Sequence, residues 1–179
     1  MNYTEKTIST DTIYNGKIIN VELGTVVLPN GRQAKREIVR HPGGVAVVAV
    51  DDDGYVYLVK QFRIPYNEVM LEVPAGKLDK GNEDIYDAAR RELSEETGLV
   101  AEKLEFIGEF YPSVGYTDEN LRLFIATGLK QGKKHPDEDE FVSTEKIHIT
   151  ELTKMIMDGT VKDGKTIAAV LKAKIILNL

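Results

Sequence analysis

The six residues VAVVAV at 45 to 50 constrain this chain more than any other stretch: they form an unbroken, mostly β-branched apolar run, with GG before it and DDDG after it. Alternating apolar and polar residues mark a strand with one wet face, whereas a run without polar interruption marks a central strand covered on both faces. Such a strand needs helices above and below it. Residues 83 to 97, EDIYDAARRELSEET, supply one, with helix formers throughout, acid in the first turn and Gly98 where a left-handed cap belongs. Near the C-terminus, ITELTKMIMDG and KTIAAVLKAKIIL read as two more.

Strand patterns surround these helices. In KIINVELGTVVL (17 to 28), Ile19, Val21 and Leu23 share one side; the phase then shifts to Val26 and Leu28, which predicts a bulge near Gly24. Pro29, Asn30 and Gly31 turn the chain into RQAKREIVR, so residues 16 to 40 read as a β-hairpin. After the HPGG break, DDDG links VAVVAV to YVYLVKQF, and VMLEVPAG (69 to 76) is a short strand stopped by Pro74 and Gly76. KLEFIGEFY, LRLFIATGL and FVSTEKIHI continue the β pattern. The expected architecture is α+β, an α/β/α sandwich around a mixed sheet with an N-terminal antiparallel hairpin arm. The arm takes residues 1–40 and the main domain 41–179.

Charge narrows the function classes. Against 23 Lys+Arg stand 29 Asp+Glu, a net charge of −6, the wrong sign for a surface that attracts nucleic acid. With no cysteine, disulfides, thiolate metal sites and a cysteine nucleophile drop out, and a cytoplasmic location fits. MNYTEKTIST shows no secretory pattern, and no apolar run approaches the ~18 residues of a membrane span.

The chemistry is concentrated in the mid-chain helix. At about 3.6 residues per turn, Glu92, Glu95 and Glu96 project from one stripe, where like charges repel. A divalent cation offsets that cost, and hard carboxylate oxygens suit Mg²⁺ or Mn²⁺. The competing reading is a solvated acidic helix face. Arg91 is placed to hydrogen-bond a carboxylate of the stripe and orient it. Glu83 lies about two and a half turns before Glu92, so it joins the cluster only if the helix begins after it and the preceding loop folds back.

Residues 76 to 99 resemble the Nudix box, written Gx5Ex7REUxEExGU with U aliphatic. Gly76, Arg91, Glu92, Leu93, Glu95, Glu96, Gly98 and Leu99 match it; Asn82 stands where the spacing puts a glutamate, and Glu83 fits with a loop one residue longer. The resemblance implies water-driven cleavage of a pyrophosphate in a nucleoside diphosphate derivative. It also implies metal held by Glu92, Glu96 and the Ala75 carbonyl, with Glu95 and Arg91 in the catalytic machinery.

Three further stretches resemble the ADP-ribose pyrophosphatase branch of that family. QFR with E-x-P-A-G makes Arg63 and Glu72 substrate-binding candidates, with Arg40 beside them, since guanidinium forks suit phosphate oxygens. In FYPSVGYTDE, Glu119 is a substrate candidate; the branch's marker proline falls at Val114 here, with Pro112 two residues earlier. DEDEF resembles an acidic loop bringing a general base, Glu138, and a metal ligand, Glu140. The arm resembles one exchanged between subunits, implying a homodimer, with Tyr14, Arg32 and Arg36 as candidates for holding adenine. The expected reaction is Mg²⁺-dependent hydrolysis of ADP-ribose, or a related sugar nucleotide, to AMP and a sugar phosphate. A non-catalytic nucleotide-sugar sensor and hydrolysis of another nucleoside diphosphate derivative are the alternatives.

GTVKDGKT (159 to 166) satisfies G-x4-G-K-T, the phosphate loop of nucleoside triphosphatases. A helix-like segment precedes it where that loop needs an apolar strand, so the match is set aside.

Overall fold

A computed structural model describes residues 2–78, 81–132 and 141–179. The chain divides into two compact units, one of residues 1–43 and 111–120, the other of 44–110 and 121–179.

In the first unit, β1 (Lys6–Asn15), β2 (Asn20–Val27) and β3 (Gln33–Arg40) form an antiparallel sheet in that order. The expected hairpin is thus β2 and β3, turned at Gly31 with φ 82°. The strand before it escapes pattern reading because all ten residues of β1 are exposed, and no buried face imposes alternation. The bulge predicted near Gly24 is not in β2, which pairs with β3 in unbroken register. The irregularities lie in β1, between Thr7 and Ser9 and between Thr12 and Tyr14. Residues 111–120 close this unit: Val39 N–H donates to the Tyr116 carbonyl (2.7 Å), and Asp118 N–H donates to the Val39 carbonyl (3.2 Å).

The second unit is a mixed sheet between helices. Its path is β10 (Ser143–His148), β5 (Tyr55–Arg63), β4 (Gly44–Val50), β9 (Leu121–Gln131), β8 (Leu99–Phe110), with β6 (Glu68–Glu72) on β5 and β7 (Ala75–Lys77) on β4. Among the described residues of this sheet, only the β4–β9 pair is parallel. All seven residues of β4 are buried, as the opening run requires. Val45, Val47 and Ala49 face α1 (Ile85–Thr97) through Ala88, Ala89 and Leu93. Ala46, Val48 and Val50 face the opposite side, packed with Leu152 and Ile156 of α2 (Ile149–Met157) and Ala169, Val170 and Ala173 of α3 (Gly164–Leu177). No helix is long and apolar enough to cross a membrane among the described residues.

The strand that positions the site changes partner midway. β4 pairs with β5 only at Ala49 and Val50; at its other end, Gly44 to Ala46 pair with β7. Val47 N–H, at the switch, donates to the Pro74 carbonyl (2.9 Å). β7 therefore lies beside the acidic face of α1.

Candidate active site

The acidic stripe is not a solvated face. Glu92 and Glu96 are buried, at 8% and 2% exposure, on a helix whose ends form as the residues dictate. Asp84 caps the start by accepting from Tyr86 N–H (2.8 Å), and Gly98, at φ 74°, closes the end with its N–H on the Ser94 carbonyl.

Glu96 Oε2 accepts the N–H of Ala75 (3.1 Å). Within an antiparallel ladder, a residue's N–H and C=O point to the same side. The Ala75 N–H serves Glu96, so its carbonyl also points away from β4. The expectation of one strand stopped by Pro74 and Gly76 is corrected: β6 ends at Glu72 and the chain pairs again as the short strand β7, because β5 has diverged and β4 still needs backbone partners.

Glu92 fits against the next residue. A Cβ on Gly76 would lie 2.0 Å from the Glu92 carboxyl carbon, so glycine here makes a cradle for the carboxylate. Arg91 Nη1 donates to Glu92 (2.5 Å) and to Glu95 (2.8 Å), while its Nε and Nη2 fork onto Glu83 (both 2.9 Å). The helix begins after Glu83, and Glu83 itself reaches back to Arg91 and so joins the cluster. One positive charge is thus shared by three carboxylates. The Glu83 hydrogen bond, opposed by burial and reinforced by the Glu92 charge, holds the guanidinium pKa well above its ordinary value.

Among the described residues, no group of three or more acidic or histidine side chains stands in position to hold a metal ion by itself. The donor set nevertheless fits a hard divalent cation: a carboxylate seated in the Gly76 cradle, a second on Ala75, and a carbonyl directed to the same side. Glu138 and Glu140 lie outside the described residues.

The second constellation joins Glu72 and Arg63. Arg63 Nε and Nη2 fork onto the two oxygens of Glu72 (2.6 and 2.7 Å), and Lys165 Nζ donates to Glu72 Oε2 as well. Burial pushes the Glu72 carboxyl up, but the Arg63 hydrogen bond and the Lys165 charge outweigh it and hold its pKa below the usual carboxylate range. With its folded pKa below the unfolded one, Glu72 contributes fully above the ordinary value near 4.5, and that contribution is lost as pH falls through the depressed value. Denaturant unfolding from pH 7 down to 3 should show a steep acid limb in the wild type and a flatter one in Glu72→Gln. Equal slopes would exclude Glu72 as a source of acid lability.

Arg40 and Glu119 belong to the other unit. Arg40 is held by Glu22 (2.9 Å) and Asp118 (3.0 Å), and Glu119 lies 3.8 Å from His41. Arg36 forks onto Glu5, and Tyr14 is exposed. Reading the sequence missed Lys165, Asp163 and Thr166. Their signal was the DGKT that ends the rejected phosphate loop and marks the start of α3.

Comparison with known proteins agrees with this geometry. Residues 40–170 match the NUDIX domain, and residues 5–39 match the nucleoside diphosphate sugar hydrolase N-terminal domain. An ADP-ribose pyrophosphatase of Bacillus subtilis (strain 168) is 46% identical over 168 residues, 93% of this chain and 90% of that protein. A methanol dehydrogenase activator of Bacillus methanolicus is 42% identical over 170 residues, 94% of this chain and 91% of that protein. A crystal structure of an ADP compounds hydrolase shares the fold, with a TM-score of 0.86 at 21% identity, covering 99% of this chain and 97% of that one. The buried box carboxylates, the helix they stand on and the family match over residues 40–170 lead to one conclusion: this chain belongs to the Nudix family.

Proposed function

We propose that this protein is a Mg²⁺-dependent hydrolase that cleaves the pyrophosphate of ADP-ribose to AMP and ribose 5-phosphate. The observation that carries the reading is the convergence on β7 of hard oxygen donors, Glu92 in the Gly76 cradle and Glu96 on the Ala75 N–H, a set that suits a divalent cation. The name of the Bacillus subtilis relative supports the substrate.

In this reading Glu92, Glu96 and the Ala75 carbonyl hold Mg²⁺ or Mn²⁺, with Glu140 a further ligand. When bound, the metal supplies charge stabilisation for the phosphates and lowers the cost of deprotonating water. Arg91 holds Glu92 and Glu95 in fixed rotamers, with its third carboxylate, Glu83, as anchor. Glu138 takes the proton of the attacking water, with Glu95 beside the reacting groups. The water oxygen bonds to one phosphorus, and the bridging oxygen leaves with the other phosphate. Arg63 keeps Nη1 outside its fork on Glu72, a donor for a phosphate oxygen. Arg40 and Glu119 remain proposed substrate contacts.

The reading extends to a cytoplasmic homodimer joined through the arm. β1 is exposed along its whole length, including Ile8, Ile13 and Tyr14, and an edge strand of that kind invites pairing with a second copy.

The test is release of AMP from ADP-ribose by the purified protein. Turnover is expected with Mg²⁺, abolished by EDTA and restored by added Mg²⁺; activity indifferent to EDTA would overturn the metal role. A second reading, regulation of a partner protein, is favoured by the name of the Bacillus methanolicus relative. Turnover by the isolated chain separates the two.

A further inference from the structure

We infer that Lys165, in the first turn of α3, is a positioning residue for hydrolysis: it anchors Glu72, and through it Arg63 and the segment leading to Ala75. The inference rests on the hydrolase reading and assigns a role to a helix on the sheet face opposite the box helix.

Lys165 points inward, with 11% of its side chain exposed, where an unpaired ammonium would be costly. Its Nζ meets Glu72 Oε2 and, at 3.0 Å, Asp163. Arg63 Nη2 donates to that same Glu72 oxygen, so arginine and lysine grip one carboxylate together. The neighbouring Thr166, fully buried, accepts the N–H of Val73 (2.9 Å) and donates its hydroxyl to Asp163. Asp163 in turn caps the helix through Thr166 N–H (3.0 Å). Ala169, Val170 and Ala173 seat the rest of α3 in the core.

Segment 72–75 is therefore tied at both ends. Glu72 and Val73 are held by α3, and Ala75 N–H by Glu96 of α1. Within four residues the chain runs from the carboxylate that orients Arg63 to the carbonyl offered to metal. Without Lys165, Glu72 loses one of its two cationic partners, and both the Arg63 fork and the Ala75 carbonyl lose definition. Partners one step removed from metal ligands change affinity or activity by about 10- to 100-fold when removed, and Lys165, which acts through Glu72, falls at the lower end of that range.

The experiment compares wild type, Lys165→Met, Lys165→Arg and Val170→Ala. Val170 is a core residue of the same helix whose apolar side chain can form no hydrogen bond or ion pair with the tie, so its truncation reports loss of helix packing. Two quantities are read on each protein: kcat and KM for ADP-ribose with Mg²⁺, and Mn²⁺ affinity by electron paramagnetic resonance. Lys165→Met is expected to lower kcat/KM or Mn²⁺ affinity by about 10-fold or more, Lys165→Arg to recover most of the loss, and Val170→Ala to leave both quantities at wild-type values. The inference is overturned if Lys165→Met changes neither quantity by more than about threefold, or if Val170→Ala changes them as much, on the scale expected for such partners. The Mn²⁺ measurement needs no turnover. A wild type inert toward ADP-ribose would defeat the hydrolase reading, and Mn²⁺ affinity would still decide the role of Lys165.

Discussion

Glu96→Gln should abolish most turnover, by about 10³-fold or more, while the protein stays folded; a metal contributes several kcal/mol to such chemistry, and about 1.4 kcal/mol is tenfold in rate. The amide keeps the size of the side chain and one acceptor oxygen, so the hydrogen bond from Ala75 N–H survives. What disappears is a negative charge on a buried group only 2% exposed. Steady-state kinetics at saturating Mg²⁺, paired with a thermal melt, make the check. Activity within threefold of wild type would remove Glu96 from the metal site.

Gly76→Ala is the second large effect, and it acts through space alone. The new Cβ would stand 2.0 Å from both the carboxyl carbon and Oε1 of Glu92, far inside van der Waals contact. Either Glu92 swings out of its cradle or β7 moves off β4. Overpacking of this kind costs about 1–3 kcal/mol of stability. Activity should fall by about 10²-fold or more, the scale of losing a group that stabilises developing charge. A double-mutant cycle with Glu92→Gln identifies the cause. If the methyl acts by displacing Glu92, adding Gly76→Ala to Glu92→Gln should cost little further activity. Losses that multiply independently would mean the cradle is not what glycine provides.

Much of this could be read without coordinates. The unbroken run at 45 to 50 required a strand covered on both sides, and helices α1 to α3 cover it. Helical spacing put Glu92, Glu95 and Glu96 on one stripe, and Glu83 joins them through Arg91 because the helix starts after it. These readings succeed because they depend on local periodicity, which a few successive residues encode. β1 stayed hidden for the same reason: an exposed strand carries no period.

What the residues determined by themselves was the set of groups and the face of the helix they share. Whether those groups met anything was decided only by tertiary structure. The switch of β4 from β5 to β7 brings Ala75 and Gly76 under the acidic stripe, and Lys165 reaches Glu72 across 93 residues of chain. Spacing along one helix sets which side chains are neighbours at a fixed rise and rotation. Contacts between distant segments depend instead on how strands exchange backbone hydrogen bonds and where buried charges find partners, and no short stretch of chain specifies either.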